Sequence, residues 1–130
     1  MNIFKLKNQS IGENQPLFLI AEAGVNHNGD LSLAHKLIDK AADVGADAVK
    51  FQTFIAEEIV SPETPLAGHH LANVGEELSH FDLIQKLELP FDSFKELKSH
   101  CEERGIMFIS TPYDLPSAQL LIELNKVQCG

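Results

Sequence analysis

Residues 17–54 read LFLIAEAGVNHNGDLSLAHKLIDKAADVGADAVKFQTF, and this stretch decides the fold. Residues 17–23 form a short apolar run, which favours a buried strand over a helix. After Asp30, which can cap a helix, apolar residues recur every four positions until Gly45 ends the pattern. Residues 47–54 then predict a second strand. A strand, a helix and a strand within about forty residues are typical of a right-handed parallel βαβ unit.

The rest of the chain continues the alternation of strands and helices. Residues 56–75 contain several Pro and Gly with little periodicity, which predicts a long loop. Helical spacing returns over residues 81–87 and 90–104, and residues 106–109 form a third apolar run. Residues 117–124 predict one more helix. We therefore expect an α/β fold of three βα units, which is part of a larger parallel sheet because parallel sheets are buried on both faces.

Composition excludes several functional classes. The chain has 130 residues, with 10 Lys and Arg against 19 Asp and Glu, a formal charge of -9. Because 44% of the residues are hydrophobic, a packed core is expected, and the acidic balance argues against nucleic-acid binding. The sequence has neither a secretory signal nor a long apolar stretch, which predicts a cytoplasmic protein with no membrane contact. Cys101 and Cys129 are far apart, so we expect reduced thiols and no thiolate zinc site.

Polar side chains stand at the carboxyl end of each predicted strand. Glu22 ends the first strand, Lys50 and Gln52 the second, and Ser110 and Thr111 the third. Since the carboxyl ends of parallel strands meet at one edge, these side chains are expected to converge where barrel enzymes build active sites. A lysine there can neutralise an anionic oxygen, a glutamate can hold a proton, and a threonine can donate a hydrogen bond to phosphate.

Two of these features have simpler interpretations. Glu22 and Lys50 could form only a structural ion pair, although such pairs contribute little net stability. The loop that begins at Gly24 and contains Asn26 and His27 allows backbone amides to approach a ligand, but glycine-rich loops are common. We interpret His27 as a hydrogen-bonded structural residue, and we expect no metal ligands in the chain.

Three ordered motifs carry a family resemblance. They are AEAGVNHNG at residues 21–29, GADAVKFQT at residues 45–53 and ISTPY at residues 109–113. Together they resemble the sialic acid synthase family, which includes N-acetylneuraminate, legionaminate and pseudaminate synthases and spore-coat polysaccharide synthase relatives. The similarity extends over residues 17–124 and is nearer to the neuraminate and legionaminate branch.

The resemblance implies an enzyme with a (β/α)8 TIM barrel. The family condenses phosphoenolpyruvate with an N-acetylated amino sugar, giving a nine-carbon 2-keto sugar acid and phosphate. It requires a divalent metal, Mn²⁺ or Mg²⁺, whose ligands the resemblance places in later strands outside this sequence. Residues 1–130 would be the N-terminal segment of the barrel domain, without the C-terminal half of the barrel or the antifreeze-like domain. The family also implies a homo-oligomer, and we expect this incomplete barrel to be inactive alone.

The motifs assign roles to individual residues by resemblance. Glu22 would assist at the sugar and the attacking water, Lys50 would hold phosphoenolpyruvate, and Thr111 would bind its phosphate. The other matching positions are pocket-lining ones, namely Gln52, Asn26 and Tyr113. Residues 125–130 do not match the family's fourth-strand motif. Two alternatives therefore remain open: a non-catalytic truncated remnant, and another phosphate-handling TIM-barrel enzyme with a different aldol-type reaction.

Overall fold

The structure is a computed structural model that describes residues 2–60 and 79–127. The chain combines a small hairpin with a parallel sheet and flanking helices. In chain order the elements are β1 (Ile3–Leu6), β2 (Gln9–Gly12), β3 (Ile20–Gly24), α1 (Leu31–Asp43), β4 (Ala48–Thr53), α2 (Ala56–Ile59), α3 (His80–Leu87), α4 (Phe91–Arg104), β5 (Met107–Pro112) and α5 (Leu115–Val127).

The three apolar runs form one parallel sheet in the order β3-β4-β5. In the register, Glu22 pairs with Lys50, and Lys50 pairs in turn with Ile109. Because paired residues of parallel strands point to the same face, these side chains share one side of the sheet. The prediction of an α/β fold with a parallel sheet is confirmed.

The two faces of the sheet have different environments, and β4 shows this most clearly. Val49, Phe51 and Thr53 are at most 1% exposed, whereas Lys50 and Gln52 between them are partly exposed. The buried face packs against the helices, where it forms a core with apolar side chains of α1 and α4 that include Ala34, Ile38, Phe94 and Leu97. The polar side chains therefore lie on the opposite face.

Helix boundaries follow the predicted signals. The Asp30 carboxylate accepts hydrogen bonds from the backbone N–H groups of Ser32 and Leu33, which caps α1 as expected. Gly45 follows α1 with φ +82°, and Gly105 ends α4 with φ +69°, a left-handed conformation that side chains disfavour. The predicted positions of these helices are confirmed.

The hairpin of β1 and β2 was not predicted from the sequence. Its strands have four residues each, and Ile3 and Phe4 are 47% and 62% exposed, so they give little hydrophobic pattern. The turn contains no glycine, and Lys7 adopts φ +55° instead. Both strand signals and turn signals are therefore weak in this segment.

Two strand boundaries differ from the prediction. The first strand of the parallel sheet starts at Ile20 rather than at Leu17, which is 84% exposed. The third continues to Pro112 rather than ending at Ile109. Apolarity alone therefore set the first boundary too early, and the polar end of β5 concealed the second. Within the predicted loop of residues 56–75, Ala56–Ile59 forms the short helix α2, and residues 61–75 lie outside the described residues.

Gly29 is the position where a methyl group should be most disruptive. It has φ +77°, and an added Cβ would lie 2.0 Å from the carbonyl oxygen of Lys86 in α3. We expect Gly29→Ala to lower the free energy of unfolding by more than about 1 kcal/mol. Gly45→Ala is the matched control, because Gly45 has φ +82° with no atom within 4 Å of the added Cβ. Equal losses in urea unfolding would contradict the close contact.

Candidate functional site

An ion pair stands at the centre of the exposed sheet face. Lys50 Nζ lies 3.0 Å from Glu22 Oε2, and the two side chains are 37% and 52% exposed respectively. The strands hold both backbones in register, so the pair is positioned by the sheet rather than by a loop. A half-exposed pair contributes only about 0–1 kcal/mol to stability, so its charges are available to a ligand at little structural cost.

The next row of the same face carries two neutral polar side chains. Gln52 on β4 pairs in register with Thr111 on β5, one alternation beyond Lys50 toward the carboxyl end. Neighbouring strands lie about 4.8 Å apart, so an amide and a hydroxyl group stand side by side next to the ammonium group. The structure thus brings together four of the predicted site residues: Glu22, Lys50, Gln52 and Thr111.

Gly24 contributes to the site in a way that sequence reasoning did not anticipate. It follows a register irregularity after Glu22 and has φ +55°. A Cβ there would lie 3.5 Å from Glu22 Oε1 and 3.8 Å from Gln52 Nε2. The missing side chain therefore keeps the approach to both polar groups open. The sequence signal was only that a glycine closes the apolar strand.

Asn26 and Tyr113 lie at the same edge of the sheet. Asn26 is exposed in the loop after β3, and its backbone N–H donates to the carbonyl of Ala23. Tyr113 is 50% exposed just after β5, and its backbone N–H donates to the carbonyl of Thr53. Both side chains are thus presented beyond the strand ends, as expected for residues that line a pocket.

His27 has a structural environment, in agreement with its interpretation from the sequence. The side chain is 1% exposed, and its Nδ1 accepts a hydrogen bond from the Gly29 backbone N–H at 2.9 Å. Its ring centroid lies 6.3 Å from that of Phe51. Burial lowers the pKa of His27 below 6.5, although the nearby Asp30 carboxylate opposes this shift. The histidine therefore holds the loop in its neutral form.

The lowered pKa of His27 predicts a pH dependence of stability. Because the unfolded chain binds this proton more readily, the free energy of unfolding should fall as the pH drops below about 6.5, by at most about 1.4 kcal/mol per pH unit. His27→Gln should reduce that slope, whereas His80→Gln, at the start of α3, should retain it. Urea unfolding between pH 8 and 5 measures this, and an unchanged slope in His27→Gln would contradict the assignment.

The described residues do not fit a metal centre. Within residues 2–60 and 79–127, no three His, Cys, Asp or Glu side chains are arranged to hold an ion. The Glu22 carboxylate already contacts an ammonium group. A metal in the complete protein would need ligands from elsewhere, so no chemical step is derived through one here. None of the helices in the described part of the chain is long and apolar enough to cross a membrane.

Comparison with known proteins gives consistent matches over most of the chain. The sequence model of the NeuB family matches residues 37–129, so the similarity continues past residue 124, where the motifs had placed its end. The chain is 51% identical over 107 residues to the N,N'-diacetyllegionaminic acid synthase of Campylobacter jejuni, covering 82% of this chain and 32% of that protein. It is 41% identical over 121 residues to the spore coat polysaccharide biosynthesis protein SpsE of Bacillus subtilis, covering 93% and 32%.

The fold has a similar match among solved structures. The N-acetylneuraminic acid synthetase of Leptospira borgpetersenii, solved in complex with citrate, superposes with a TM-score of 0.74 at 36% identity. That match covers 95% of this chain and 38% of the other. The chain thus spans about a third of the length of the curated relatives it matches.

Proposed function

Because the chain belongs to the NeuB family, we propose that it supplies the phosphoenolpyruvate-handling part of a synthase acting on an N-acetylated amino sugar. The observation that carries this proposal is the Glu22–Lys50 pair, held in register on the exposed face of a parallel sheet. We take that face to be the interior of a (β/α)8 barrel, in which β3, β4 and β5 are consecutive strands. Active sites of such barrels form at the carboxyl ends of the strands.

The proposed reaction joins the methylene carbon of phosphoenolpyruvate to the aldehyde carbon of the sugar. Water supplies the oxygen of the new 2-keto group, and inorganic phosphate leaves. The products are a nine-carbon 2-keto sugar acid and phosphate. Phosphoenolpyruvate carries several negative charges, so its binding requires cationic and hydrogen-bonding groups at fixed positions.

Lys50 is the residue proposed to hold phosphoenolpyruvate. Its ammonium group is a point charge that can pair with the carboxylate or phosphate of this substrate. Thr111 lies one register row further along the same face, where its hydroxyl group can donate a hydrogen bond to a phosphate oxygen. Gln52 beside Thr111 can either donate or accept. The row therefore offers a cation and two neutral polar groups to one anionic ligand.

Glu22 is proposed to act on the sugar and the attacking water. Its carboxylate is half exposed, so it can accept a proton from water and return it to the alkoxide that forms from the aldehyde. Lys50 at 3.0 Å favours the ionised form of this carboxylate while substrate is absent. Asn26 and Tyr113, at the rim of the same edge, are proposed to line the substrate pocket.

Other properties of the complete protein are also proposals. A divalent metal, Mn²⁺ or Mg²⁺, would assist by polarising the sugar aldehyde, with ligands outside the described residues. The complete enzyme would be a cytoplasmic homo-oligomer, as the family resemblance implies.

A chimeric synthase tests the proposed function. In the Campylobacter jejuni relative, the matched segment is replaced by the corresponding residues of this chain, which are 51% identical over 107 residues. We expect the chimera to convert phosphoenolpyruvate and an N-acetylated amino sugar to the 2-keto acid, identified by mass spectrometry. A folded chimera that makes no such product, or that consumes the sugar without phosphoenolpyruvate, would contradict the proposal.

A further inference from the structure

A small apolar cavity opens beside the candidate site. It has a volume of about 160 Å³ and lies next to Gln52, at the carboxyl edge of the sheet. Gln52 is its one amide-bearing wall residue. The cavity is lined by Val25, Gln52, Phe54, Ile59, Ile84, Leu87 and Tyr113. Its position makes it continuous with the polar row that carries the proposed chemistry.

The cavity walls are held in place by specific hydrogen bonds. The Asp114 carboxylate accepts from the backbone N–H of Ile55 at 2.8 Å and also caps the start of α5. The Glu88 carboxylate accepts from the backbone N–H of Ala56. On the other wall, Ser79 and Asp82 form a reciprocal capping box that starts α3. Both α2 and α3 are therefore anchored, and the cavity between them is built into the fold.

We propose that this cavity receives the methyl group of the sugar's acetamido substituent, an inference that rests on the proposed function. An acetamide has one N–H donor and one carbonyl acceptor attached to an apolar methyl group. The Gln52 side chain offers an acceptor and two donors, and the remaining walls are mainly apolar. A volume of about 160 Å³ exceeds the roughly 30 Å³ share of one water molecule several-fold, so a methyl group fits.

The spacing along β4 suits such a sugar. Gln52 lies two residues beyond Lys50, and two residues of a strand span about 6.6 Å. In a 2-acetamido sugar, the methyl carbon is four bonds from the aldehyde carbon, a reach of about 5 Å at ordinary bond lengths. An aldehyde at the Glu22–Lys50 pair thus places its acetamido group at Gln52 and the methyl group toward the cavity.

The cavity also provides discrimination. Without its acetyl group, the sugar carries an ammonium group that would face apolar walls and lose hydration. The acetylated sugar leaves no charge there and gains the burial of one methyl group. We therefore infer that Ile84, Leu87 and Ile59 select for the N-acetylated substrate.

Methyl NMR of the full chain tests this inference with N-acetyl-D-mannosamine as the probe and D-mannosamine as its matched control. We expect the acetylated sugar to shift the methyl signals of Ile59, Ile84 and Leu87, and the control sugar to bind at least about tenfold more weakly. The exposed Ile122 on α5 should show no shift with either sugar. Equal shifts with both sugars would overturn the inference, as would the absence of any shift up to the solubility limit.

A pair of variants locates the effect. Ile59→Phe fills the cavity from a side chain that is already 37% exposed, so the fold should tolerate it, which circular dichroism checks. We expect this variant to lose the sugar-induced shifts at Ile84 and Leu87, whereas Ile122→Phe should retain them. Retained shifts in Ile59→Phe would overturn the cavity assignment. Because this readout involves neither phosphoenolpyruvate nor turnover, it fails independently of the chimera assay of the proposed function.

Discussion

Lys50→Ala in the chimeric synthase should lower turnover by roughly a hundredfold or more. That is the scale of losing one preorganised electrostatic contact to a charged substrate. Because Lys50 is proposed to hold phosphoenolpyruvate, the KM for this substrate should also rise, while the KM for the sugar changes less. Initial rates of phosphate release at varied concentrations of each substrate measure both effects.

Lys36→Ala is the matched control for Lys50→Ala. Lys36 is exposed on α1, which lies against the buried face of the sheet, so its removal deletes the same charge away from the site. We expect the control to keep its rate within about threefold and both variants to melt near the parent, since exposed ion pairs contribute little stability. A loss below about threefold in Lys50→Ala would mean that the Glu22–Lys50 pair is structural.

Glu22→Gln should cut turnover by about a hundredfold or more, with the fold preserved. The substitution keeps the shape of the side chain and removes only the charge and the proton acceptor, which typically contribute factors of that size. The KM for phosphoenolpyruvate should stay nearly constant, because Lys50 remains. Steady-state kinetics together with a thermal melt separate the chemical role from a structural one.

Glu103→Gln, on the exposed surface of α4, provides the control for Glu22→Gln. It should leave both rate and stability unchanged. Unfolding of Glu22→Gln at the assay temperature would show that the carboxylate supports the fold. A Glu22→Gln enzyme with the parent rate would remove the carboxylate from the proposed chemistry.

The sequence predicted the parallel sheet because its signals are local and strong. Asp30 and Gly45 bracket α1 with standard capping residues, and the apolar runs around Val49 and Phe51 have the composition of buried parallel strands. The hairpin was missed because Ile3 and Phe4 remain exposed and therefore follow no burial pattern. Strand boundaries were less certain, since apolarity alone does not show where pairing begins.

The candidate site was predicted in part for the same reason. Alternation along β4 places Lys50 and Gln52 on one face, and the register then determines that Glu22 lies opposite Lys50. The role of Gly24 depends on a register irregularity and a positive φ, which a glycine letter does not specify. The cavity beside Gln52 is assembled from residues of several separate elements, so no local pattern could indicate it.

The most direct test of the account is phosphate release by the chimeric synthase with both substrates, with each alone, and with neither. The account predicts that release requires phosphoenolpyruvate and the N-acetylated sugar together, equals the 2-keto acid formed mole for mole, and falls to the background level in Lys50→Ala. Phosphate release that is independent of the sugar, or that Lys50→Ala leaves unchanged, would contradict it.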